Sequence, residues 1–276
     1  MEIRKNSGVL KWILITICFL FLAIFLILPL VYILFTAFRN GLKSYFLSVT
    51  DEYAIKAALL TLKATLWAVG INTLFGLAAA WCLTKFAFRG KKIISTFIDL
   101  PVTVSPIIAG LIYVLTFGRQ SILYPFLDSH GIQIIFAVPG IVLATIFVTF
   151  PFISRELIPV LTAQGTDEEE AAALMGANTF TIFRRVTLPH IKWALLYGIV
   201  LCSARAMGEF GAVSVLSGHL RGKTNTLPLY IELLYQGYDF TGAFAASSIL
   251  VVMAAVVLIL RLFLEHKGKK ESDVNK

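Results

Sequence analysis

The stretch Thr166-Asp-Glu-Glu-Glu-Ala-Ala-Ala-Leu-Met-Gly176, followed by Val186-Thr-Leu-Pro189, lies between two strongly apolar segments. Thr166 and Glu169 have the spacing of a capping box, in which two side chains satisfy the first free N–H groups of a helix. The four acids at 167–170 lie where a helix N-terminus favours negative charge. The sequence therefore predicts a helix that begins at Thr166.

The end of this polar segment is also marked. Gly176 can adopt the left-handed conformation that closes a helix. Asn178 or Thr179 can cap a second short helix, which Pro189 is expected to end. Two such short helices bury too little surface to be stable alone in water. We therefore expect the helical hairpin formed by residues 164–189, hereafter the hairpin, to dock against another surface.

The composition excludes an ordinary soluble domain. Of the 276 residues 58% are hydrophobic, and the mean hydropathy is +0.84. About 20 apolar residues are needed to cross a bilayer as a helix. We predict an all-α membrane protein with six transmembrane helices, at 13–35, 58–83, 97–117, 134–154, 193–216 and 243–263.

Basic residues cluster at one set of ends of these spans, as at Lys85, Arg89, Arg184 and Arg185. Because lysine and arginine favour the cytoplasmic side, both termini and the hairpin are predicted to face the cytoplasm. The net charge of +8 does not indicate a nucleic-acid partner, since the basic residues flank spans instead of forming one patch.

The hairpin resembles a known family. Its pattern is similar to the EAA loop of permease subunits in binding-protein-dependent ABC importers, except that Val186 stands where isoleucine is usual. The resemblance implies a type I ABC importer permease fold with N- and C-termini cytoplasmic. It also implies that the loop couples the chain to a cytoplasmic ATPase through Glu170, Ala171, Ala172, Gly176, Leu188 and Pro189.

Two charged residues fall inside the predicted fifth span. Arg205 and Glu209 are four residues apart, so a straight helix would place them side by side. Each charge costs roughly 2.5–3.5 kcal/mol at the centre of a bilayer unless it finds a partner. Gly208 and Gly211 would let a second backbone approach closely. The pair either fixes helix packing, or lines or gates a central path in which Arg205 helps to hold an anion.

The predicted third span carries prolines among polar residues. Pro101 and Pro106 are expected to kink or interrupt its helix, which leaves backbone groups that need partners. Either the kink only improves packing, or the segment lines a permeation path. For the second interpretation the candidate residues are Asp99, Thr103 and Ser105.

A second resemblance covers nearly the whole chain. Ala204-Arg-Ala-Met-Gly-Glu-Phe-Gly-Ala212 is similar to the fifth-span signature of oxyanion permeases for sulfate, thiosulfate, molybdate and tungstate. Asp99-Leu-Pro-Val-Thr-Val-Ser-Pro106, Ile146-Phe-Val-Thr-Phe-Pro-Phe152 and Phe183-Arg-Arg-Val-Thr-Leu-Pro189 together resemble the CysW-type permease subunits of sulfate/thiosulfate importers.

This resemblance implies a set of partners at the bacterial cytoplasmic (inner) membrane. They are a second, CysT-type permease, a dimer of a cytoplasmic CysA-type ABC ATPase, an extracytoplasmic sulfate/thiosulfate-binding protein and membrane lipid. It implies that ATP and Mg²⁺ are used by the ATPase, and we expect no cofactor and no metal on this chain. We also expect no catalytic residues, because no nucleophile, base and orienting group stand together.

The chain is predicted to form one membrane domain at 57–264. Residues 1–56 hold the first helix and an external loop, and a basic, disordered tail is expected at 265–276. Two alternatives remain: a permease for another oxyanion such as molybdate or tungstate, and a secondary anion transporter. The second often contains an inverted repeat, and the sequence carries no convincing one.

Overall fold

The computed structural model describes the backbone of residues 8–274 and the side chains of residues 10–266. Within this range the chain is helical and contains no strand, which confirms the predicted all-α class. Two π-helical turns, Ala23–Ile27 and Phe183–Thr187, interrupt the series. The α-helices are α1 (Gly8–Leu22), α2 (Leu28–Phe38), α3 (Leu42–Val49), α4 (Glu52–Lys85), α5 (Lys91–Thr103), α6 (Pro106–Phe117), α7 (Tyr124–Ser129), α8 (Val138–Thr149), α9 (Pro151–Gln164), α10 (Asp167–Leu174), α11 (Thr179–Ile182), α12 (Leu188–Met207), α13 (Gly211–Leu216), α14 (Leu227–Gln236) and α15 (Phe240–Val274).

Within residues 8–274, five stretches are long and apolar enough to cross a membrane. A sixth span is reached when the bent pair α5 and α6 counts as one. The predicted spans 13–35, 58–83, 134–154 and 243–263 coincide with four of the stretches apart from their ends. The five stretches are Leu10–Phe38, Glu52–Lys85, Val138–Gln164, Thr179–Met207 and Phe240–His266.

The predicted third span at 97–117 is interrupted, as its prolines predict, and its first half begins earlier than predicted, at Lys91. Helices α5 and α6 meet at an angle of 108°. Val104 is extended, and Ser105 leaves the helical region because the ring of Pro106 disfavours helix at the residue before it. Pro106 then starts α6, where its missing N–H costs no hydrogen bond.

The predicted fifth span at 193–216 is displaced. The helix begins at Thr179 inside the hairpin and runs to Met207, so Pro189 does not end the second hairpin helix as expected. Pro189 lies in the first turn of α12, directly after the π-helical turn Phe183–Thr187. There the wider turn accommodates the proline ring without breaking the helix. The helix ends instead at Gly208, and α13 follows as a separate element.

The centre of the bundle consists of α4, α9 and α12, which approach through small residues. A Cβ atom on Gly76 of α4 would lie 3.0 Å from Cβ of Ile153, and one on Gly198 of α12 would lie 3.3 Å from Cα of Ile153. Ile153 of α9 is fully buried between them. Without a hydrophobic driving force inside lipid, such close contact supplies much of the packing energy between helices.

The last helix is longer than the predicted span. Its backbone continues to Val274, into the stretch 265–276 for which the sequence predicts disorder, and residues 275–276 lie outside the described part of the chain. Helices α2 and α3 pack on α15. The division of the chain at 56 and 264 stays a prediction.

Helices α6 and α13 cross at two glycines. A Cβ atom on Gly110 would lie 2.7 Å from the carbonyl oxygen of Ala212, and one on Gly211 would lie 2.9 Å from Cβ of Pro106. Gly211 therefore allows the close approach that the sequence predicts. Gly208 does not, since the nearest atom to its added Cβ is the carbonyl oxygen of Ala204 at 3.9 Å, in the preceding turn of its own helix.

We expect Gly110→Ala to lower the stability of the detergent-purified protein. The new methyl group must displace the backbone of Ala212, and overpacking of this kind costs roughly 1–3 kcal/mol. The control is Gly70→Ala, because Gly70 is also helical and has no heavy atom within 4 Å of an added Cβ. Thermal unfolding midpoints measure the difference. An unchanged midpoint for Gly110→Ala would contradict the close crossing of α6 and α13.

Candidate functional site

The hairpin closes through a left-handed glycine, as the sequence predicts. Gly176 has a φ of 86°. The N–H of Gly176 donates to the carbonyl of Ala173 at 2.9 Å, and that of Ala177 donates to the carbonyl of Ala172 at 3.1 Å. This pair of bonds is the Schellman arrangement, which satisfies the last carbonyl groups of α10. The side chain of Asn178 accepts from the N–H of Thr181 at 2.8 Å and so caps α11.

The predicted capping box is wrong, because its two side chains have other partners. Thr166 makes no side-chain cap bond and donates instead to the carboxylate of Glu170 at 2.8 Å. Glu169 turns away from the helix end. Its Oε1 lies 3.0 Å from Nζ of Lys85 on α4 and accepts from Oγ1 of Thr187 at 2.6 Å. A buried counter-ion attracts the carboxylate more strongly than the local N–H groups do.

This contact fixes the hairpin to the bundle. The Lys85 side chain is 6% exposed and the Glu169 side chain 14% exposed, so water screens the pair little. Lys85 also donates to the carbonyl of Gly165. On the opposite side Nδ1 of His190 lies 3.3 Å from Oε2 of Glu168. The base of the hairpin is therefore tied to α4 and to the start of α12.

The tip of the hairpin projects from the rest of the chain. Leu174 is 91% exposed and Met175 is 83% exposed. An added Cβ on Gly176 would meet nothing within 4 Å. Of the residues that the EAA resemblance assigns to coupling, Ala172 is buried, Leu188 is half-buried, and the others are exposed: Glu170, Ala171, Gly176 and Pro189. Large apolar side chains displayed on a rigid projection are typical of a docking surface.

The candidate residues of the third span lie around the bend between α5 and α6. Asp99 pairs with Arg155 of α9, with Oδ1 and Nε 2.7 Å apart. Oγ1 of Thr103 donates to the carbonyl of Leu100, while Ser105 lies exposed at the start of α6 without a side-chain cap bond. The charge of Asp99 is therefore balanced within the chain.

Arg205 and Glu209 do pair, although not on one straight helix. Nη1 of Arg205 lies 2.6 Å from Oε2 of Glu209, which stands in the break after α12. The Glu209 side chain is 1% exposed and that of Arg205 is 34% exposed. Oε1 of Glu209 also accepts from the N–H of Ala212 at 2.9 Å, so the carboxylate satisfies the first turn of α13. The structure thus brings these two residues together and gives Glu209 a second contact that spacing did not predict.

Two polar features inside the span Glu52–Lys85 were not predicted. Asn72 is fully buried, and its Nδ2 donates to Oγ1 of Thr149 at 2.8 Å and to the carbonyl of Ile146 at 3.2 Å. Lys63 is exposed on the outer face of α4 and has no ion pair within the part of the chain that the structure describes. The sequence signal that could have identified each of them is a lone polar side chain in an apolar run, the amide of Asn72 and the ammonium group of Lys63.

A polar cavity of about 510 Å³ lies at the opposite end of α4 from Lys85, beside Asp51, Arg221, Tyr230 and Asp239. Asp51 caps α4 and accepts from the hydroxyl of Tyr230 at 2.9 Å. Burial raises the pKa of Tyr230, and the bond to Asp51 raises it further. Asp239 likewise accepts from the N–H of Gly242 in the first turn of α15. Both carboxylates therefore serve helix ends.

Comparison with known proteins assigns a family. Residues 72–270 match the profile of the family described as binding-protein-dependent transport system inner membrane component. The chain is 49% identical over 257 residues to the sulfate transport system permease protein CysW of Escherichia coli (strain K12), covering 93% of this chain and 88% of that protein. It is 45% identical over 273 residues to the protein of the same name from Synechococcus elongatus (strain ATCC 33912 / PCC 7942 / FACHB-805), covering 99% and 96%.

A solved structure gives the same fold. A chain of a bacterial ABC transporter involved in the import of the acidic polysaccharide alginate superposes with a TM-score of 0.77 at 20% identity. The match covers 96% of each chain. The bundle therefore has the fold of ABC importer permeases.

We expect variants of Glu209 to lose stability in a fixed order. Glu209→Gln keeps an oxygen that can accept from Ala212 but loses the ion pair, whereas Glu209→Ala loses both contacts. The cap is worth about 1 kcal/mol, and leaving a buried partner unsatisfied costs about 1–3 kcal/mol. Thermal unfolding in detergent should therefore rank wild type above Gln and Gln above Ala.

Glu265→Gln is the matched control for this series. Glu265 forms the same i,i+4 pair with Arg261, but both side chains are more than a third exposed. Such pairs contribute about 0–1 kcal/mol. Equal losses at positions 209 and 265 would contradict a special role for the buried carboxylate.

Proposed function

The chain belongs to the binding-protein-dependent transport system inner membrane component family, and from that membership we propose that it forms half of a sulfate/thiosulfate path and couples that path to a separate ATPase. It is a multi-pass permease subunit of an ABC importer and not an enzyme. We propose a CysT-type permease as the other half of the path, with CysA-type ATPases on the cytoplasmic side. A sulfate/thiosulfate-binding protein would deliver the substrate from outside.

One observation carries the coupling role. The hairpin displays Leu174 and Met175 almost fully exposed, while the largely buried side chain of Glu169 ties its base to Lys85 of α4. A projection that is apolar at its tip and rigid at its base can transmit force from a partner. ATP and Mg²⁺ would bind on that partner, and closure of the ATPase dimer would draw two such hairpins together.

The proposal includes the orientation in which the hairpin and both termini face the cytoplasm. The exposed basic residues at the hairpin end of the bundle, such as Arg89, Arg184 and Arg185, support it. In this orientation the hairpin lies on the side where ATP is found. The cavity beside Asp51 and Tyr230 then faces the binding protein.

A dianion cannot enter an apolar path without hydrogen-bond donors or water. Arg205 is the charged candidate, because its guanidinium is partly exposed while one of its N–H groups serves Glu209. The hydroxyl of Ser105 is a second donor at the bend between α5 and α6. Asp99 and Thr103 are weaker candidates, since both have partners within the chain.

Sulfate is favoured over molybdate or tungstate by the relatives that are 45–49% identical over nearly the full chain and are named for sulfate transport.

The test is co-purification of the assembled complex, followed by ATPase assays with candidate binding proteins. We expect stimulation by the sulfate-loaded binding protein. If only the molybdate-loaded binding protein stimulates the ATPase activity, the substrate assignment changes from sulfate to molybdate. Uptake that depends on an ion gradient but not on ATP would overturn the importer mechanism for this chain.

We expect Gly176→Asp to lower the amount of sulfate taken up per ATP hydrolysed by tenfold or more in reconstituted vesicles. The new side chain points into open space within this chain, so it would act on the docked ATPase. Gly176→Asn is expected to retain more activity, because asparagine tolerates the left-handed conformation and carries no charge.

Gly90→Asp is the control for backbone strain and charge. Gly90 also has a positive φ, 97°, and no atom within 4 Å of an added Cβ, but it lies outside the hairpin. Uptake per ATP hydrolysed should stay near wild type in this variant. Normal uptake by Gly176→Asp at equal expression would end the coupling assignment.

A further inference from the structure

An apolar groove opens on the outer face of α4 near its C-terminal end. It has a volume of about 450 Å³, and its walls include Leu74, Leu77 and Trp81 of α4 with Phe180 and Phe183 of the hairpin. The rings of Trp81 and Phe183 are in contact, with centroids 5.3 Å apart. The groove therefore joins a membrane helix to the hairpin.

Within the described residues, no other part of the chain covers the groove. Phe180 and Leu74 are each 70% exposed. Exposing two large apolar side chains beside each other in water would be unfavourable. An apolar group from outside this chain, either lipid or protein, is therefore expected to cover the groove.

Unpaired basic side chains follow the groove directly in sequence. Arg184 and Arg185 come immediately after Phe183, and both are exposed. In the part of the chain that the structure describes, neither forms an ion pair or a side-chain hydrogen bond. Lys85, one turn beyond Trp81, is not available in this way, because it pairs with Glu169 and donates to the carbonyl of Gly165. Two guanidinium groups are thus free to receive an anion.

We propose that this groove is a binding site for an anionic phospholipid. One acyl chain lies between Trp81 and Phe180, and the phosphate lies against Arg184 and Arg185. Arginine binds phosphate oxygens through paired N–H groups, and basic residues next to a membrane span attract anionic lipids. An apolar groove followed by two free arginines matches the amphipathic form of such a lipid.

The site has a consequence for the hairpin. Phe180 and Phe183 belong to its second half, so a bound acyl chain contacts the hairpin as well as α4. The occupant excluded by this proposal is a helix of another protein chain. The two occupants differ in what a probe placed at Phe180 would contact.

The experiment uses the assembled transporter in vesicles with equal amounts of phosphatidylglycerol and phosphatidylcholine. A photoreactive benzoylphenylalanine replaces Phe180, and illumination is followed by mass spectrometry of the adducts. The control places the same probe at Phe75, which is 62% exposed on α4 but does not line the groove. We expect lipid adducts at 180 to favour phosphatidylglycerol at least fivefold more than those at 75, since one basic residue near the membrane contributes about this factor.

Charge variants test the headgroup contact. Arg184→Gln with Arg185→Gln should return the adducts at 180 to the lipid ratio found at 75, while the yield of lipid adducts persists. Lys91→Gln with Lys92→Gln removes the same charge from the start of α5 and should keep the preference. The proposal is overturned if position 180 labels only protein, labels no lipid while 75 does, shows the same lipid ratio as 75, or ignores the arginine variants.

Discussion

The interior of a bilayer offers no water to an unpaired polar group, so each departure from regular helix needs a partner within the protein. Two such departures, at 104–105 and at 208–210, meet in space. Gly211, which follows the second, approaches Pro106, which follows the first. Glu209 stands in the second break, where it accepts the N–H of Ala212 and pairs with Arg205. The broken helices, the close glycine contacts and the buried charge therefore form one arrangement.

A shielded ion pair likewise fixes the connection to the hairpin. Glu169 pairs with Lys85 at the end of α4, and Glu168 lies beside His190 in the first turn of α12, so the hairpin is tied to two of the three central helices. The stretch Thr179–Met207 continues from the hairpin through a π-helical turn without a break. At 1.5 Å per residue it spans roughly 43 Å and ends beside the Arg205–Glu209 pair. A displacement of the hairpin would thus reach the interior break along one helix.

Sequence reasoning succeeded where a local signal has no strong competitor. The left-handed turn at Gly176 and the cap at Asn178 depend only on neighbouring backbone groups, and both are present. The capping box at Thr166 failed because Lys85, 84 residues before Glu169 along the chain, attracts its carboxylate. Pro189 was misjudged for a similar reason, since a π-helical turn removes the expected clash. Asn72 gains its role only from the neighbouring helix that carries Thr149.

The sequence by itself determined that the chain is a helical membrane protein, where most of its spans lie, and that a capped polar hairpin interrupts them, because apolar length and local backbone chemistry are properties of short segments. Only the tertiary structure decided how sharply the third span bends, that the fifth span breaks after Met207, which side chains pair across helices, and which apolar surfaces remain uncovered. These depend on atoms that lie far apart in the chain. Their contact energies arise only once helices such as α6 and α13 approach within van der Waals distance.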